Sequence, residues 1–131
     1  MNLPLMTLLN QNHAERSTAM IYVIATVELL DGKRDNYLEE LNKIIPKVRA
    51  EIGCFEYGPA TDVITDIPVQ EVVHENVVTI MERWTDLQAL NVHLNAPHMK
   101  TYRDAVKTFV KGLKIRVLRP FLPRPDHPDS S

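Results

Sequence analysis

The sequence has one cysteine, one tryptophan and four glycines in 131 residues. Each scarcity excludes something. A lone Cys54 rules out an internal disulfide and fits a reducing compartment, with the cytoplasm as the default; the side chain reads as a small buried hydrophobe. The few glycines form no phosphate-cradling loop and no dinucleotide fingerprint, so no nucleotide cofactor is signalled. No sign of charge dominates: the formal net charge is −2, the pI is near 6.2 and basic residues are scattered, which removes the electrostatic case for nucleic acid or an anionic membrane. Long apolar runs are missing as well. The patch at residues 3–9 is interrupted by Pro4 and has no basic flank, so neither a signal peptide nor an anchor is expected. No Ser-His-Asp or Cys-His arrangement is legible, and Cys54 has no assignable base.

The sequence does contain the material for one core. Apolar residues make up 44% and charged residues 24%, ordinary values for a single globular domain of this length. Residues 1–19 lack sustained periodicity and read as an extension. Residues 20–30 are β-rich, with Ile21, Val23, Ala25 and Val27 on one face and Tyr22, Ile24, Thr26 and Glu28 on the other; both faces are largely apolar, as in a central strand. After an Asp31-Gly32-Lys33 turn, Leu38, Leu41, Ile45, Val48 and Ile52 form one stripe of a helix over 34–52, with a kink expected between Asn42 and Pro46 and an end at Gly53. A short strand over 54–57 stops at Gly58-Pro59. Residues 60–76 mix apolar and polar groups around Pro68, either as a loop beside a cavity or as an excursion onto a second subunit.

A third strand, 77–84, leads into a short helix capped by Thr85 or Asp86, with Leu87, Leu90 and Leu94 inward. Asn95-Ala96-Pro97 restarts the helix, which should run to about Lys111 with His98, Tyr102, Ala105 and Phe109 along one side, and stop at Gly112. The last strand is 113–118, and Pro120, Pro123, Pro125 and Pro128 mark a tail that cannot pair in a sheet interior. The order is β-α-β-β-α-β, a ferredoxin-like α+β domain over 20–121, between an extension (1–19) and a proline-rich tail (122–131). Two helices cover one sheet face well. The other needs a second layer, which a homodimer pairing two sheets supplies.

Alternation from Val78 puts Val78, Ile80, Glu82 and Trp84 on one strand face. A carboxylate among apolar groups is either paired or protonated. Glu82 facing His93 or His98 would make an acid–base pair; a structural pair fixing helix to sheet is the alternative. The two histidines are five residues apart and cannot share one regular helical face, so the break at Pro97 decides which reaches Glu82. Metal is not expected, since no His-x-x-x-His is present and Glu82, His93 and His98 do not share ligand spacing. Trp84, Tyr57 and Tyr102 are candidate walls for a flat aromatic ligand; Phe55 and Phe109 read as core.

Glu82-Arg83-Trp84, followed by Leu90, His93-Leu94, Ala96-Pro97-His98-Met99 and Tyr102, resembles the core signature of the antibiotic biosynthesis monooxygenase domain. The Gly53-Cys54 step and the strand over 20–28 match its other landmarks. The resemblance covers about residues 20–121 and implies a dimeric α/β barrel of two ferredoxin-like subunits. It also implies several chemistries: cofactor-independent oxidation of phenols or quinols by O2, haem degradation, and isomerisation of small metabolites. The first fits the missing nucleotide motifs. His93 or His98 would then be the base, oriented by Glu82, with Trp84, Tyr57 and Tyr102 as walls and Arg83 or Arg103 as anion partner, Arg83 being weakened by its place opposite Glu82. Haem degradation needs a helix histidine where this chain has Tyr102 and Arg103. A proton-transfer isomerase and a ligand-binding dimer without catalysis are the competing expectations.

Overall fold

The computed structural model describes residues 20–121, and the expectations for 1–19 and 122–131 lie outside the described residues. β1 (Ile21–Leu29) is the strand the sheet is built around, because it pairs antiparallel with strands on both sides. α1 (Arg34–Arg49) follows, then β2 (Cys54–Ala60), β3 (Val77–Trp84), α2 (Leu87–Leu94), α3 (Pro97–Val106) and β4 (Val110–Leu118). The sheet order β2-β3-β1-β4 is the ferredoxin-like one, all neighbours antiparallel. Among the described residues no helix is long and apolar enough to cross a membrane.

Side-chain alternation fixes which face is inside. Ile21, Val23, Ala25, Val27 and Leu29 from β1 and Val78, Ile80, Glu82 and Trp84 from β3 are buried under the helices, as the spacing predicts. Tyr37, Leu41, Ile44, Ile45 and Val48 of α1 and Met99, Tyr102 and Val106 of α3 complete that core. Tyr22 and Met81, each 40% exposed, lie on the opposite, uncovered face.

Several boundaries differ from the expectation. α1 runs through Pro46 but ends at Arg49, so Ile52, expected in its stripe, is 94% exposed on the following turn. β2 continues through Gly58-Pro59 to Ala60; an edge strand tolerates proline because its outer side has no ladder bond to lose. α3 stops at Val106, not Lys111, so Phe109 lies beyond it, and Ala105, though within the helix, is exposed beside the buried Met99, Tyr102 and Val106. Gly112 lies inside β4, at the register shift beside Glu28, where a Cβ would sit 2.7 Å from a Glu28 carboxylate oxygen. Phe55, read as core, is half-exposed on the uncovered face, with the Arg83 guanidinium 5.5 Å from its ring centre. Leu87 and Leu94 are exposed too, because α2 turns its Leu90–His93 face inward instead.

Candidate active site

The site is assembled where the turn after α1 meets the β3–α2 corner. Gly53 makes that approach close: its φ is +88°, and an added Cβ would lie 2.7 Å from Ala89 Cβ and 2.8 Å from Thr85 Cγ2. The Gly53 carbonyl accepts from the Thr85 amide at 2.8 Å, pinning the turn to the corner. Asp86 is the α2 cap, its Oδ1 accepting from the Ala89 amide at 2.8 Å. α2 then ends in tight turns, with Asn95 N–H to the Val92 carbonyl and Ala96 N–H to the His93 carbonyl, and Pro97 opens α3 at its first turn. This joint carries the consequence. It turns His93, at the end of α2, and His98, at the start of α3, toward one point.

That point is Glu51, not Glu82. Its Oε2 lies 3.0 Å from His93 Nδ1 and 2.6 Å from His98 Nε2. The expected Glu82–histidine pair is therefore not formed; Glu82 Oε1 instead accepts from Trp84 Nε1 at 2.9 Å. Strand geometry explains this, because Glu82 and Trp84 are two residues apart on one face and reach each other directly. The break at Pro97 delivers both histidines, where one was expected, and delivers them to a residue of the α1–β2 turn. No periodicity marks Glu51. The one pointer to it is its place two residues before the Gly53-Cys54 landmark.

An ionised carboxylate only accepts hydrogen bonds, so both facing ring nitrogens carry the proton. His93 then presents its Nδ1–H, and His98 its Nε2–H, to the same Glu51 oxygen. The His93 side chain is 2% exposed and Glu51 11%. Burial lowers the His93 pKa, and Glu51 opposes that only in part, so the ring is a free base at neutral pH. Its ring centre is 4.6 Å from that of Trp84 and 5.5 Å from that of Tyr57. Glu51 Oε1 is buried with no hydrogen-bond partner among the described residues.

Glu82 forms the second half of the site. Burial pushes its pKa up to about 7; the Trp84 hydrogen bond lowers it and the charge of Glu51 adds to the rise. Its charge acts on the buried hydroxyls of Tyr37, Tyr57 and Tyr102, all held above the ordinary tyrosine range chiefly by burial. Tyr37 and Tyr102 share a hydrogen bond, so Tyr102 is committed to α1. Tyr37 was not singled out in the sequence because its neighbour Leu38 fits the helical stripe equally well. Arg103 is exposed on α3, near enough for its charge to act on His93 and Tyr102. Arg83 is on the uncovered face, 3.5 Å from Glu56. Burial also raises the thiol of half-buried Cys54, which is the state of an unreactive cysteine. Among the described residues no three ligating side chains are grouped to hold a metal ion. A cleft of about 490 Å3 lined by Asp31, Gly32, Arg34, Asp35, Glu75 and Asn76 lies beyond the far end of β1, away from this chemistry.

The antibiotic biosynthesis monooxygenase family model matches residues 20–105, which contain every residue of this site. The chain belongs to that family. It is 37% identical over 103 residues to "Probable quinol monooxygenase YgiN" of Escherichia coli (strain K12), covering 77% of this chain and 98% of that one, and equally so to the protein of that name from Shigella flexneri. Among solved structures, PA3566 from Pseudomonas aeruginosa superposes with a TM-score of 0.68 at 23% identity, covering 81% of this chain and 98% of that one. Rv0793 from Mycobacterium tuberculosis gives 0.66 at 24% identity, covering 79% and 97%. Those two likenesses concern the fold. The family's ferredoxin-like domain is the one described above, with β4 lying wholly beyond the matched residues.

Proposed function

We propose that the chain is a cofactor-independent monooxygenase that oxidises a phenol- or quinol-type aromatic to a quinone with O2. The observation that carries this reading is the buried His93, its Nδ1 on Glu51 and its ring packed against those of Trp84 and Tyr57. In the reaction, His93 Nε2 takes the phenolic proton and Glu51 stabilises the imidazolium that forms. The phenolate supplies the electrons to O2: one oxygen atom enters the ring as the new carbonyl and the other leaves as water. For a simple phenol, phenol plus O2 gives benzoquinone plus water. The aromatic walls exclude solvent from the anion, and Arg103, at the outer side, supports its charge. The quinol monooxygenase name of the E. coli relative supports the substrate class. We further propose that the protein works as a homodimer, the uncovered sheet face with Tyr22 and Met81 packing on a second copy.

Oxygen consumption with a panel of hydroquinones and naphthols, in protein free of added cofactor, tests the reading. With 18O2, one labelled atom should appear in the quinone. His93→Gln should lower kcat at least about 100-fold. Uptake no faster than autoxidation across the panel would sink the proposal. Glu82, with its pKa near 7, gives the interior a second proton-exchanging group and favours a non-oxidative proton transfer as the second reading; turnover without oxygen would establish that instead.

A further inference from the structure

Glu82 is a buried carboxyl that the oxidation by His93 leaves unused. It is 8% exposed, on the inner face of β3. The register sets it between Val23 of β1 and Tyr57 of β2, both of them buried. Residues paired directly across two strands are side-chain neighbours on one face, so the carboxyl lies beside the Tyr57 side chain. Along its own strand, Trp84 Nε1 donates to Oε1 at 2.9 Å. Oε2 accepts no hydrogen bond among the described residues. The hydroxyls of Tyr37 and Tyr102, on which the Glu82 charge acts, are bonded to each other.

Tyr57 and Trp84 are also the two rings packed against His93, at 5.5 and 4.6 Å between ring centres. Carboxyl and imidazole therefore share one pair of aromatic walls, and each has its own hydrogen-bond partner. Their surroundings push them in opposite directions. Burial lowers the His93 pKa and raises that of Glu82 to about 7, which favours the imidazole as a base and the carboxyl as an acid. The other titratable groups around Glu82 are Tyr37 of α1, Tyr102 of α3, Tyr57 and Cys54 of β2, and Glu51 of the α1–β2 turn. None of these is a cation, and the Trp84 N–H is the donor that favours the ionised form.

We propose that Glu82 is the general acid of the oxygenation, giving its carboxyl proton to the oxygen atom that leaves as water. The assignment rests on the oxygenase reading above. Once His93 has taken the phenolic proton, one electron passes from the phenolate to O2, and the two radicals combine at a ring carbon that bears hydrogen. The distal peroxide oxygen takes the proton back from the imidazolium, which gives a hydroperoxide. His93 then removes the proton from that carbon. The C–H electron pair becomes the new C=O π bond, the O–O bond breaks, and the distal oxygen departs with the O–O pair. Hydroxide leaving into a site walled off from water is poorly stabilised, and the Glu82 proton makes it water. One proton from solvent restores Glu82 and one from His93 returns to solvent. The sum is phenol plus O2 to quinone plus water.

Glu82→Gln, Glu82→Asp and His93→Gln, each tested with a naphthol, separate the roles. Anaerobic binding is read first, from the absorption of the bound naphtholate. That band should persist in Glu82→Gln and be lost in His93→Gln, because removal of the phenolic proton precedes the acid step. Its loss in Glu82→Gln overturns the proposal. Turnover is read next, as quinone formed from about pH 5 to 9. The parent's kcat/KM should fall as pH rises through about 7, where Glu82 loses its proton, and as pH falls through the lowered His93 value. Glu82→Gln should lower kcat at least about 100-fold with little change in KM, and should lack the alkaline fall. Glu82→Asp keeps an ionisable carboxyl and should recover part of the rate together with that fall. A Glu82→Gln variant with the parent's kcat, or with the parent's alkaline fall, overturns the proposal and leaves the oxygenase reading intact. A parent that takes up no oxygen above autoxidation refutes the reading itself, and the assignment falls with it.

Discussion

Glu82→Gln isolates the energetic consequence of burying a carboxyl on the apolar face of β3. The amide is nearly isosteric with the protonated acid and keeps an oxygen to accept from Trp84 Nε1. The folded protein holds the Glu82 pKa at about 7 against an ordinary 4.5. An acid whose pKa rises on folding contributes its full stability below the unfolded value and loses it as pH rises through the folded one. At 1.36 kcal/mol per pH unit, the gap amounts to a loss of roughly 3 kcal/mol by pH 8, about 2 by pH 6 and close to zero at pH 4. Glu82→Gln does not titrate and should be more stable than the parent by those amounts. His93 acts in the opposite sense: its pKa is lowered on folding, so its contribution is present above its ordinary 6.5 and is lost as pH falls through the folded value. That term is common to both proteins and cancels in the difference. Urea unfolding of both at fixed protein concentration, from pH 4 to 8, gives the difference curve directly. Parallel stability curves for parent and variant would refute the reasoning.

Three further perturbations probe the same interior. Glu51→Ala leaves two imidazole N–H donors without an acceptor and should cost about 3 kcal/mol, whereas Glu51→Gln retains an acceptor and should cost nearer 1 kcal/mol; equal thermal shifts for the two variants would contradict the bridging role. Gly53→Ala places a Cβ within 2.8 Å of two neighbours at a φ of +88°, so a loss of roughly 3 kcal/mol is expected, and an unchanged melting temperature would mean the turn is not pinned. Trp84→Phe removes the indole donor that stabilises ionised Glu82, so the midpoint of its carboxyl resonance in an NMR titration should move above the parent's; a downward move would show that the hydrogen bond is not what holds it down.

The element order and the buried face were legible in the sequence because they depend on short-range periodicity. Val78, Ile80, Glu82 and Trp84 alternate, and alternation alone puts them on one face under the helices. Boundaries were less legible. The helical pattern in 34–52 continues through Ile52, yet the chain leaves the helix at Arg49, because the turn at Gly53 has to meet Thr85 and Ala89. The Leu90–His93 face of α2 was likewise a tertiary choice, since in eight residues Leu87, Leu90 and Leu94 make an equally good stripe.

What the sequence by itself determined was a ferredoxin-like domain with a carboxylate buried on β3, two histidines on either side of a helix break, and the residues that mark the family. Only the tertiary structure decided which carboxylate the histidines use. Glu51 is 42 residues from His93 and 47 from His98, and no local pattern encodes a contact at that separation. It arises because Gly53 admits the α1–β2 turn against the β3–α2 corner while Pro97 redirects the second helix. Glu82, two residues from Trp84, finds its partner within its own strand. Glu51 finds its partners only when three elements pack.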